Sequence, residues 1–217
     1  MRALSNLQIG ILIATFVALA SFAATTAGAE DTSVPIQTAE NTETAILAGG
    51  CFWCVESDFD KLEGVLETVS GYTGGNSLNP TYETHKAERH IEAVRISYDA
   101  DKLSYTEILD YYFRHIDPTD AGGQFCDRGH SYTTAVFALT DEQEADARST
   151  IEAIDTSGVL DAPIVTAVRE AEAFYPAEDY HQDYYLKAPL QYNFYRQACR
   201  RDARVRAVWS GEGDVGG

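Results

Sequence analysis

A chain of 217 residues, 45% hydrophobic and 23% charged, has enough apolar surface for one domain with a sizeable core and does not demand two. Its formal net charge of −18 argues against nucleic-acid binding, because a phosphate backbone would be repelled rather than neutralised.

Residues 1–29 differ from the rest. Arg2 is their one charged residue, an apolar run extends from Ile9 to Ala24, and Ala27-Gly28-Ala29 fits a small-residue cleavage site. This pattern predicts a secretory signal peptide cut after Ala29, and hence a periplasmic or secreted protein. The alternative is a membrane anchor formed by residues 9–24, which is near the lower length limit for a span. Residues 30–43, EDTSVPIQTAENTE, are polar and aperiodic and read as a linker. One folded domain is expected over residues 44–211, with residues 212–217 as a flexible tail.

TAILAGG predicts a strand ended by Gly49 and Gly50, and Cys51 to Leu62 have helical character. VLETVSGYTGG alternates as a strand, and HIEAVRISYD is a second one that places His90, Glu92, Val94, Ile96 and Tyr98 on one face. Ser104 and Glu107 form a capping-box pattern that opens a helix stopped before Pro118. A Gly-rich loop, DPTDAGGQFCDRGH, leads to the strand TTAVFAL, a helix capped by Thr140 and running to about Thr156, and the strand IVTAVREA. From residue 44 the order is strand, helix, strand, strand, helix, strand. That order predicts an α+β, two-layer, ferredoxin-like split βαβ sandwich with additional helices and an aromatic C-terminal segment that wraps the domain.

Cys51 follows a strand and a Gly pair and opens a helix, whose unpaired N–H groups and positive dipole end would favour its thiolate. Cys54 lies one turn away on the same face. In an exported chain four cysteines permit two structural disulfides, but a C-x-x-C pair at a helix start is more often redox-active. No metal is expected. Cys126 and Cys199 stand alone, and His85, His90, His115, His130 and His181 lack metal-ligand spacing. Phe52 and Trp53 are candidates to line a small apolar pocket beside the sulfur, with core packing as the alternative. Glu92 shares its strand face with Val94 and Ile96, where desolvation keeps a carboxyl protonated and makes it a proton donor. Tyr72, Asp127 and Tyr132 flank Gly-rich turns, positions from which donors reach a ligand.

The motifs GCFWCVE (50–56), GYTGG (71–75), HIEAV (90–94), HIDPT (115–119), QFCDRG (124–129) and FYPAEDYHQDYY (174–185) occur in that order. In these motifs the chain closely resembles the peptide methionine sulfoxide reductase A family, from about Ala45 to Trp209. The resemblance implies that Cys51 attacks the sulfur of a methionine S-sulfoxide and becomes a sulfenic acid, while Phe52 and Trp53 hold the S-methyl group. It implies Glu92 as the acid, Tyr72 and Tyr132 as contacts for the sulfoxide oxygen, and Asp127 in the same network. A second cysteine then forms a disulfide that a thioredoxin-like protein or a dithiol reduces, with no cofactor. Cys54 is favoured as that resolving cysteine by helix-neighbour geometry, with Cys199 as the rival or a relay partner. The expected partners are oxidised proteins and peptides and the reductant, with a monomeric state, no nucleic acid, and membrane only if the N-terminal segment is retained.

Two departures from the family stand out. THKAERHIE (84–92) is shorter than the usual form, with Arg89 where Gly is common, and Cys54 stands where many members have Gly. Two other functions fit parts of the pattern: a thiol–disulfide oxidoreductase using Cys51 and Cys54, and a non-catalytic module that binds oxidised peptides or senses oxidants. Against the first, Trp53 sits between the cysteines, not before them.

Overall fold

The computed structural model describes residues 41–210. The expected signal peptide or anchor, most of the linker and the tail lie outside the described residues. The first strand, β1 (Thr42–Gly49), begins inside the expected linker, because Thr42 and Glu43 pair with Asp99 and Tyr98 of β3 (Ile91–Asp99). The chain continues through α1 (Phe52–Phe59) and β2 (Val65–Thr73) before β3, then α2 (Tyr105–Phe113), the two-residue strands β4 (Gly123–Gln124) and β5 (Asp127–Arg128), and a 3₁₀ turn at His130–Tyr132. It closes with β6 (Thr134–Ala138), α3 (Asp141–Ser157), β7 (Ala167–Glu170), β8 (Tyr175–Pro176), α4 (Tyr184–Lys187), α5 (Pro189–Ala198) and α6 (Arg201–Val208).

The main sheet has the order β7-β6-β1-β3-β2-β8. Its four central strands, β6-β1-β3-β2, are antiparallel and are connected through α1 and α2, which is the split βαβ arrangement. β7 joins parallel to β6 after the α3 crossover, and β8 adds to the outer edge of β2. The period-2 alternation divides each strand between two buried faces. Ala45, Leu47, Tyr72, Val94, Ile96, Tyr98 and Val136 pack under Phe52, Val55 and Phe59 of α1 and Ile108, Leu109, Tyr112 and Phe113 of α2. Ile46, Ala48, Ile91, Ala93, Ala135 and Phe137 face the other way, against Ala171 and Phe174.

Both predicted caps are present. Ser104 and Glu107 satisfy each other reciprocally at the start of α2, and the Thr140 hydroxyl accepts the Gln143 N–H at the start of α3. The C-terminal segment returns across the domain. Gln182 bonds both the N–H and the carbonyl of Ser70 on β2, and the buried Arg201 donates to the carbonyls of Gly49 and His115. This return brings α5 alongside the start of α1. Among the described residues no helix is long and apolar enough to cross a membrane.

Candidate active site

The β1–α1 junction turns sharply at Gly50, which has φ of +84° and where a Cβ would lie 2.5 Å from Gln124 Cβ. Only glycine suits both conditions. Cys51 then caps α1 without a side-chain hydrogen bond to the helix. The first helical N–H, that of Phe52, donates instead to Glu92 Oε2 at 3.1 Å. Glu92 comes from β3 on the same sheet face and is 2% exposed. Burial pushes its carboxyl up to about 8, with Asp127 adding to the shift and the Phe52 N–H, Lys86 and the Tyr132 hydroxyl opposing it. Glu92 therefore carries a proton at neutral pH, next to the cysteine.

Around these two residues Phe52, Trp53, Tyr82, Asp127, Tyr132 and Tyr195 enclose a cavity of about 60 Å³. Trp53 is fixed on its far side: its indole Nε1 donates to His181 Nδ1 at 3.0 Å, and its ring stacks on Tyr184 at 3.9 Å. The Tyr195 hydroxyl donates to Asp127. The cavity thus has an apolar wall, a neutral acid, hydroxyl donors and a sulfur. Its size suits a small head group and excludes a folded chain. A wider cleft of about 660 Å³ runs beside β2, lined by Asp60, Glu67, Asp179 and Asp183, but no cysteine lines it.

The sequence profile of peptide methionine sulfoxide reductase matches residues 43–212. The chain is 52% identical over 176 residues to peptide methionine sulfoxide reductase MsrA 2 of Rhizobium meliloti (strain 1021), covering 81% of this chain and 87% of the relative. This chain belongs to the peptide methionine sulfoxide reductase A family. MsrA of Bacillus licheniformis is 46% identical over 178 residues, covering 81% of this chain and 98% of that one. Methionine sulfoxide reductase A of Corynebacterium diphtheriae superposes with a TM-score of 0.62 at 30% identity, over 70% of this chain and 77% of the other. Reduced Mxr1 of Saccharomyces cerevisiae gives 0.63 at 27% identity, over 68% and 86%. The protein is therefore an oxidoreductase that uses thiols to reduce methionine sulfoxide.

In this reductase the structure gathers Cys51, Phe52, Trp53, Glu92, Asp127 and Tyr132 around one cavity. Tyr72 is not among them. It pairs with Glu92 in the β2–β3 register, but its ring lies against His85 and its hydroxyl donates to Glu178 Oε2 at 3.0 Å, so it backs the site instead of lining it. Two hydroxyls outside the expected set, those of Tyr82 and Tyr195, take places at the cavity. The first follows Pro80-Thr81 in a turn after GYTGG, and the second stands four residues before Cys199 in the aromatic tail.

The cysteines also differ from expectation. Burial, then the hydrogen bond and charge of Cys54, push the Cys51 thiol well up rather than down. The helix N–H that would have favoured its thiolate is committed to Glu92. The hydrogen bond from Cys51 lowers Cys54 instead, helped by Arg201 and Arg196 against the cost of burial. Cys199 is joined to Cys126 in a disulfide that ties β5 to the end of α5, leaving Cys51 and Cys54 as the free pair.

Proposed function

We propose that the enzyme reduces the S epimer of methionine sulfoxide, in oxidised proteins and peptides or free, through Cys51, with Glu92 as proton donor and Cys54 as resolving cysteine. The family supports the epimer. The observation that carries the roles is the buried, proton-bearing Glu92 carboxyl bonded to the Phe52 N–H beside the Cys51 sulfur. In the resting pair Cys51 keeps its proton and directs it at the Cys54 sulfur, which the two arginines favour as a thiolate.

With the S-methyl group against Phe52 and Trp53, Cys51 passes its proton to Cys54 and its sulfur attacks the sulfoxide. The S–O bond breaks as its oxygen takes the Glu92 proton, and that oxygen remains on Cys51 as a sulfenic acid. The substrate sulfur is reduced by two electrons and Cys51 is oxidised by two. The Cys54 thiol then displaces water from the sulfenic acid to form a disulfide. A thioredoxin-like protein or small dithiol reduces that disulfide, and the proton released when Cys54 returns to its thiolate restores Glu92. Tyr82 and Tyr132 stand where hydroxyls can hold the sulfoxide oxygen, and Asp127 orients Tyr195 across the cavity.

Turnover of separate S and R epimers with dithiothreitol, by residues 30–217 and its Cys51→Ser variant, tests this reading. S-only activity that the variant loses is the expected result. Disulfide reductase activity without sulfoxide turnover would instead favour the oxidoreductase alternative. The same reading makes the enzyme an exported monomer whose mature chain begins at Glu30. Mass spectrometry of the native protein would overturn export if Met1 were intact in a membrane fraction, and light scattering would overturn the monomer if it returned twice the mass.

A further inference from the structure

The connection between β2 and β3 carries a histidine that the reaction above does not use. His85 is 0% exposed, and its ring lies against that of Tyr72 at 4.9 Å with an interplanar angle of 23°. Its Nδ1 is 2.8 Å from the Tyr82 carbonyl oxygen. A carbonyl only accepts, so Nδ1 holds the ring hydrogen. Burial pushes the imidazole pKa down, which leaves the ring neutral and gives Nε2 an unshared pair.

That nitrogen lies 3.5 Å from Glu92 Oε1 and is buried without a hydrogen-bond partner. The two oxygens of Glu92 have separate duties. Oε2 accepts the Phe52 N–H, so the carboxyl proton belongs on Oε1, the oxygen turned towards His85. Of the other groups acting on Glu92, Lys86 has no acceptor, Asp127 Oδ2 is taken by the Tyr195 hydroxyl, and the Tyr132 hydroxyl can donate or accept. Among the described residues the His85 lone pair is the buried acceptor that faces Glu92 Oε1 and has no hydrogen of its own to offer.

We propose that His85 is a positioning residue for the acid, its Nε2 lone pair anchoring the Glu92 carboxyl with the proton on Oε1. The acid then enters the reaction with its proton on one oxygen and its plane held in place, and the substrate oxygen competes only with a long, weak contact for that proton. This rests on the reading of Glu92 as proton donor.

Single-turnover methionine formation, measured against substrate concentration, is the test. His85→Asn keeps a donor for the Tyr82 carbonyl but has no atom at Nε2, and should slow the saturated rate about tenfold with half-saturation unchanged. His85→Gln, whose amide oxygen reaches the Nε2 position, should recover to within about threefold of the wild type. In a Glu92→Gln background, His85→Asn should cost nothing further, because a residue acting only through Glu92 has nothing left to position. Should the Asn variant melt below assay temperature, His85→Phe, which keeps the ring against Tyr72 but offers no lone pair, replaces it with the same expected loss. Equal losses in both backgrounds, a Gln variant no better than Asn, or an effect confined to half-saturation would each overturn the assignment. Full activity of Glu92→Gln alone would overturn the Glu92 role instead, so the two readings fail separately.

Discussion

In the proposed reaction Glu92 is a carboxyl whose usefulness depends on its staying uncharged. Its proton is held up to about pH 8 by burial, so sulfoxide reduction should fall as pH rises through that value. Glu92→Gln should abolish this alkaline limb and lower the single-turnover rate by about 10²–10⁴-fold, the usual worth of a positioned acid. A limb unchanged in the variant would assign it to another group. Cys54 offers a second residue-level expectation. With Cys54→Ser, one equivalent of sulfoxide should leave Cys51 as a sulfenic acid, a mass gain of about 16 Da. A Cys51–Cys199 disulfide in its place would make Cys199 the resolving residue. The residues of this site that were legible in the sequence belong to short contiguous motifs: Cys51, Phe52 and Trp53 share one turn, and Glu92 announces itself as an acid on an apolar strand face. Tyr82 and Tyr195 were not legible, since whether a tyrosine in a turn or a tail meets the sulfur depends on how the chain returns. The direction of the Cys51 shift was hidden for a related reason. Its helix N–H has a competitor that arrives from β3, 40 residues on.

At the scale of elements, the Gly50 turn is the joint on which the site depends. Gly50→Ala would put a Cβ 2.5 Å from Gln124 Cβ at a φ of +84°. It should destabilise the protein by about 1–3 kcal/mol, read as a lower denaturant midpoint, and should displace Cys51 relative to Glu92. A midpoint equal to wild type would mean the junction relaxes without cost. Alternation and capping made the six elements of the split βαβ core readable from the order of residues alone, because both signals are local. The hairpin of β4 and β5 gave no such signal. Two residues per strand are too few to alternate, yet this hairpin presents Asp127 to the cavity. β7 is shorter than the apolar run IVTAVREA suggests, since it pairs only where β6 offers partners, from Ala167 to Glu170.

At the scale of the whole molecule, burial raises two acids among the described residues furthest, Glu92 to about 8 and Glu56 to about 7, against an ordinary 4.5. Between these values the folded chain binds more protons than the unfolded one. Their contribution to stability is therefore complete below about pH 4.5 and is lost as pH rises through 7 to 8. The net charge of −18 reinforces that loss through self-repulsion. Denaturant midpoints should accordingly drop from about pH 5 to 8, with a flatter slope in Glu92→Gln and Glu56→Gln. A slope unaltered in both variants would trace the loss to general repulsion. The disulfide between Cys126 and Cys199 spans 73 residues, and its Cys126 end is exposed, whereas Cys51 and Cys54 are buried. In the proposed cycle, an electron donor that reduces a Cys51–Cys54 disulfide therefore meets a more accessible bond first, and it is the bond that pins the Asp127 hairpin to the helix carrying Tyr195. The fuel that sustains the catalyst is also able to loosen it, so its working lifetime is a race between two thiol exchanges at neighbouring positions.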